Sequence, residues 1–211
     1  MDDVFFRGAA KRLDDEDLPR IGAGIGVGED EIHAVLDVEA SGSGFDADGR
    51  LKMLFEYHIF WEELGDTAKR RRAKAAGLAC PKWGQIPYPR GGSYPHLLQA
   101  MGIDRTAALR SASWGLGQIM GRNHKLAGYG SVDAMILAFR DDEEAQLKGM
   151  VSFIVNSGLD DELRRHDWAG FALGYNGKGY RRNAYDVRLK RAFAHWQQIR
   201  DTPWPRPAAK T

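Results

Sequence analysis

The feature that most constrains this chain is a helical face that ends in a carboxylate. Ile32, Val35, Leu36 and Glu39 fall at the i, i+3, i+4, i+7 spacing of one helix face. The pattern asks for an apolar residue at position 39, and the sequence supplies a glutamate. Gly42 and Gly44 follow at once and predict the helix end, which puts Glu39 near the C-terminus of the helix. An apolar wall and the negative end of a helix dipole both disfavour the ionised form, so they raise the pKa together. A carboxyl kept protonated near neutral pH is what a general acid requires. The structural alternative is a side chain that reaches solvent from a frayed helix end.

The rest of the chain reads as support for that stretch. Residues 1–12 predict a leader or a short helix, and residues 13–200 a single domain. Leu13 to Leu18 resembles an acid-rich first helical turn, and Gly24, Gly26 and Gly28 a turn. Asp46 to Gly49 is a turn cluster beside the short apolar run Leu51–Phe55, which predicts a small strand or hairpin. His58 to Leu64 is helical in character, and Lys69-Arg70-Arg71-Arg72-Ala73-Lys74 is a basic run on a loop or helix end. Cys80 to Tyr94 holds prolines at 81, 87 and 89 and glycines at 84, 91 and 92, a loop long enough to be functional. Beyond it Leu97, Leu98 and Met101 form one short helical face, and Asp104, Ser131 and Asp167 are candidate helix caps. Leu147, Met150, Val151 and Ile154 mark a further helix, and Tyr185, Leu189, Phe193 and Trp196 the last. Residues 201–211 carry three prolines and predict a flexible tail. The fold class expected is mainly α, with one small β-hairpin or sheet.

Composition narrows the function classes. The chain has 211 residues, of which 43% are hydrophobic and 28% charged, with a formal net charge of +1. That balance fits one globular core and gives no global bias toward nucleic acid or an anionic membrane. Cys80 is the single cysteine, so no intrachain disulfide forms. The N-terminus has acids where a signal peptide has bases, and no apolar run is long enough to span a membrane. Production in the cytoplasm without a signal peptide is therefore expected. The six histidines include no His-Glu-x-x-His and no ligand-spaced cluster, so neither metal nor cofactor is expected.

Two further stretches resist a purely structural reading. Ser111-Ala112-Ser113-Trp114-Gly115-Leu116-Gly117-Gln118-Ile119-Met120-Gly121 sets glycines among small polar residues and a tryptophan, a composition suited to a loop lining a ligand groove. Trp114 is accordingly expected to stack on a ligand face. Ala172-Leu173-Gly174-Tyr175-Asn176-Gly177-Lys178-Gly179-Tyr180 puts a tyrosine and an amide at a helix end. An acid followed by Ser, then Gly-Leu-x-Gln-Ile, then Tyr-Asn-Gly, resembles the goose-type lysozyme and soluble lytic transglycosylase superfamily. The closer resemblance is to the phage and bacterial N-acetylmuramidase domain family. The matching stretches are Glu39 to Phe45, Gly49 to Phe60, Ser111 to Gly121, Asp167 to Gly179 and Tyr185-Asp186-Val187-Arg188-Leu189.

That resemblance implies an α-rich lysozyme-like fold, a groove for peptidoglycan glycan strands, and cleavage of the MurNAc–GlcNAc β-1,4 bond, as in a phage endolysin. It makes Glu39 the catalytic acid and Glu56 a second acidic position, the candidate base or electrostatic partner. Ser113 and Gln118 would border the cleft, with Tyr175 and Asn176 beside the acid. Ser41 would bind substrate, although Ala40 stands between it and Glu39 where many transglycosylases have Glu-Ser directly. Gly117, where a bulkier residue is common, would widen the groove. The expected partner is peptidoglycan, approached by a monomer acting on the cell wall after release or delivery. The rivals are a lytic transglycosylase that leaves anhydro-MurNAc ends, a non-catalytic peptidoglycan-binding module, and a nucleic-acid binder using Lys69 to Lys74.

Overall fold

Side-chain caps decide where several helices begin. In the computed structural model, which describes residues 3–39 and 42–205, Asp104, Ser131 and Asp167 accept the backbone N–H groups of Ala107, Ala134 and Gly170. Each such cap stabilises its helix by about 1 kcal/mol. The described α-helices are α1 (Asp17–Ala23), α2 (Glu29–Glu39), α3 (Tyr57–Glu63), α4 (Ala68–Ala75), α5 (Tyr94–Met101), α6 (Arg105–Arg110), α7 (Val132–Asp141), α8 (Glu143–Asn156), α9 (Asp160–Arg164), α10 (Trp168–Asn176) and α11 (Tyr185–Trp196). The basic run is the body of α4 and not a loop. Thr67 caps it through Arg70 N–H, and Ala, Lys and Arg are strong helix formers.

A three-stranded antiparallel sheet joins the helices, in the order β1 (Met53–Phe55), β2 (Ala112–Trp114), β3 (Ile119–Met120). Leu54 pairs with Ser113 and Ser113 with Met120, so these three share one face. Phe55, Ala112, Trp114 and Ile119 are buried in the core. Ahead of β1 the chain turns at Asp46–Gly49, where Phe45 bridges Leu51 in antiparallel fashion, the small hairpin expected there.

α2 packs between α1 and α11 and buries Ile32, Ala34, Val35, Leu36 and Val38. Full burial of an aliphatic side chain of this size contributes about 1.5–3 kcal/mol. The seam with α11 also carries polar specificity. Trp196 stacks on His33 with ring centroids 3.6 Å apart, and its indole N–H donates to Asp37 at 2.7 Å. The segment after α2 is fastened by α8. Glu143 Oε1 accepts Gly44 N–H at 2.8 Å and Ser43 O–H at 3.1 Å, while fully buried Gln146 accepts Leu116 N–H at 2.7 Å. One helix thus ties the exit of α2 to the β2–β3 turn.

The start of the chain joins the same packing. Asp3–Phe6 is a 3-10 helix, and fully buried Phe6 stacks on Trp114 with centroids 5.5 Å apart. At the other end Thr202 N–H donates to Glu29 at the start of α2. Residues 206–211 of the expected tail lie outside the described residues.

Candidate active site

Glu39 is the last residue of α2 and is partly buried at the wall of an open cleft of about 640 Å³. Its Oε1 accepts a hydrogen bond from Asn176 Nδ2 at 2.8 Å. Burial pushes the carboxyl above its ordinary value. The Asn176 amide and the Arg188 cation pull it back without cancelling that effect. Arg188 also donates to the Val38 carbonyl at 3.2 Å, so a positive charge sits on the negative end of α2. The helix dipole expected to raise the Glu39 pKa is therefore offset, and desolvation dominates.

Glu56 lines the same cleft. It is the N-cap of α3, with extended φ −102° and ψ 101°, and its side chain makes no capping bond. Its backbone N–H is anchored on the Ser111 carbonyl at 2.9 Å. Oε2 accepts the Tyr88 O–H at 2.7 Å and lies 3.4 Å from His58 Nδ1. Oε1 has no hydrogen-bond partner among the described residues. Tyr88 comes from the long proline-rich loop, and burial together with the Glu56 carboxylate pushes its phenol pKa well up.

Ser113, Gln118, Tyr175 and Asn176 also line this cleft. Ser113 Oγ donates to Gln118 Oε1 at 2.9 Å, and Gln118 Nε2 to the Gly115 carbonyl at 2.8 Å. Gln118 adopts φ +46°, an uncommon conformation for a side chain of its kind. Tyr175 stacks on Phe171 with centroids 5.4 Å apart, and its hydroxyl donates to the Gly117 carbonyl at 2.9 Å. It fastens α10 to the β2–β3 turn beside Glu39. Ser41, expected at this site, lies outside the described residues.

Trp114 is a correction. It is fully buried, stacked on Phe6, and its indole N–H donates to the Leu109 carbonyl at 3.1 Å, so it offers no face to a ligand. The reason is strand period: Ser113 faces the cleft, so its neighbour must face the core. The glycines beside it also serve packing. A Cβ at Gly115 would lie 2.6 Å from Gln146 Oε1, at Gly117 2.8 Å from Met150 Cγ, and at Gly121 2.1 Å from the Leu109 carbonyl oxygen. Gly117 makes room for α8, not for a wider groove.

Lys52, Tyr88 and Arg188 are site residues that the sequence reading did not assign. Lys52 lines the cleft next to β1. Arg188 lay within the Tyr-Asp-Val-Arg-Leu match, and Tyr88 within the loop read as functional. Among the described residues no group of three His, Cys, Asp or Glu side chains is placed to hold a metal ion. No described helix is long and apolar enough to cross a membrane.

A family model described as N-acetylmuramidase matches residues 29–197, from the first turn of α2 through α11. The chain belongs to the N-acetylmuramidase family. It is therefore a glycoside hydrolase that acts on peptidoglycan. Among solved structures this muramidase is similar to the crystal structure of a Burkholderia AP3 phage endolysin, with 36% identity and a TM-score of 0.79. That match covers 90% of this chain and 73% of the endolysin chain. No curated protein matches it. The mainly helical fold with a small antiparallel sheet is the fold of that neighbour.

Proposed function

We propose that the chain cleaves the MurNAc–GlcNAc β-1,4 bond of peptidoglycan with Glu39 as general acid and Glu56 as the base that activates water. The observation that carries this is a pair of carboxyls in unlike settings on one cleft: Glu39 desolvated with a raised pKa, Glu56 held by a phenol. The Asn176 amide fixes Oε1 of Glu39, which leaves Oε2 to carry the proton toward the leaving oxygen. As that oxygen takes the proton, the bond from the MurNAc anomeric carbon breaks and oxocarbenium character develops there. Water attacks that carbon and gives its proton to Glu56 Oε1. The products are a reducing MurNAc end and a GlcNAc 4-hydroxyl.

The shape of the surface supports a polymer substrate. The central cleft shares Leu54, Glu56, Asn176 and Tyr185 with a second cavity, and Lys52 and Met53 with a third. A continuous trough suits a glycan strand better than a free sugar. The likeness to a phage endolysin supports an endolysin-type role at the bacterial cell wall. Mass spectrometry of muropeptides released from purified peptidoglycan tests the reaction. Reducing MurNAc ends are expected. Anhydro-MurNAc ends would mean a transglycosylase in which the substrate's own hydroxyl attacks, and GlcNAc ends would move the bond.

A further inference from the structure

Past Glu56 the trough opens into a cavity of about 480 Å³ whose outer wall is built from Trp83, Tyr88, Arg182 and Asn183. Trp83 is 65% exposed, an unusual state for the largest apolar side chain unless something covers it. Arg182 is exposed and its side chain makes no hydrogen bond or ion pair with any described residue. Many other arginines are committed: Arg20, Arg50, Arg110, Arg122 and Arg164 all pair with carboxylates. The turn that presents Arg182 is basic as a unit. Lys178, Arg181 and Arg182 occur in a stretch, residues 168–185, without a single acid. Arg181 is engaged by Tyr180, through Nε at 3.1 Å from its hydroxyl and a guanidinium 5.6 Å from its ring.

We propose that this cavity is a subsite for the carboxylate-bearing peptide that peptidoglycan carries on alternate sugars, with Arg182 as the carboxylate receptor and Trp83 as the apolar face beside it. The inference rests on the muramidase reading above and extends it from the sugar bond to the peptide substituent. A strand lying along the trough must place those peptides somewhere beside it. An unpaired planar guanidinium matches a carboxylate with two parallel hydrogen bonds, whereas neutral sugar hydroxyls have no need of a cation. Glu56, only partly buried on the inner wall, repels an anion, so the peptide carboxylate is held outward at Arg182.

The test compares kcat/KM on peptide-bearing glycan strands with kcat/KM on strands stripped of peptides by an amidase. The wild-type chain should favour the peptide-bearing strands. Arg182→Gln should reduce that ratio roughly two- to fivefold at low salt, with Arg182→Lys intermediate, and the difference should shrink as ionic strength rises. The melting temperature of Arg182→Gln should match the wild type, because the side chain has no intramolecular partner. Equal losses on both substrates, or none on either, would overturn the peptide subsite while leaving the muramidase reading intact. A wild-type chain that cleaves neither strand would overturn the muramidase reading and this inference with it.

Discussion

At Glu39 three influences meet: burial disfavours its charge, while the Asn176 amide and the Arg188 cation favour it. The balance makes the site tunable by Arg188, which is not among the residues lining the cleft. Removing the Arg188 charge takes away a force that favours the carboxylate, so the Glu39 pKa must rise further and the acid stays protonated to higher pH. Arg188→Gln should therefore move the high-pH limb of the kcat/KM profile upward; a downward or absent shift in that limb would contradict the role given to Arg188. The same raised pKa has a consequence for stability. Between the unfolded value, about 4.5, and the higher folded value, the native state binds more protons than the unfolded one, so stability contributed by the neutral form declines as pH rises. Glu39→Gln should be at least as stable as wild type at pH 7, and its advantage should disappear below the unfolded pKa in denaturant titrations across pH. Glu39 was legible in the sequence because it breaks an apolar period at a helix end. Tyr88 was not, because only the path of the loop after Cys80 carries it to Glu56.

At the scale of elements, the β2–β3 hairpin shows how one misread period changes several roles. Ser113 and Trp114 are neighbours in a strand, so one faces the cleft and the other the core. Glycine-rich composition signalled close approach correctly, but the approaching groups are side chains of α8 and the backbone of α6. Nothing in the local sequence says which partner a glycine makes room for. Trp114→Ala should therefore destabilise the fold by about 3–5 kcal/mol, the range for removing a buried aromatic. Gly117→Ala should cost about 1–3 kcal/mol by overpacking against Met150. Chemical denaturation measures both; an unchanged midpoint for Gly117→Ala would restore it as a groove position. The helices were more legible, since Asp104, Ser131 and Asp167 announce their starts by side-chain chemistry that acts locally.

Across the whole molecule the near-neutral charge conceals local asymmetry. Arg70 is half-buried, donating to the Trp61 carbonyl at 2.9 Å with its guanidinium 4.7 Å from that ring, so it holds α4 against α3. Arg71 and Arg72 are exposed. Neutralising these two should weaken binding to the anionic wall at low salt and lose its effect as salt rises, because exposed charges are screened. An equal loss at every ionic strength in a pelleting assay would assign them a structural role instead. The helical architecture could be read from periodicity and caps. The trough could not, because residues from positions 39, 56, 113 and 176 meet only through long-range packing of α2, α10 and the sheet. The most direct test of that assembled site is Glu39→Gln, which preserves shape but cannot donate the proton. Turbidity measured on purified peptidoglycan should show lysis reduced by at least about 10²–10⁴-fold, with circular dichroism and wall binding retained. Lysis within a few fold of wild type, from a folded and wall-binding variant, would contradict Glu39 as the acid.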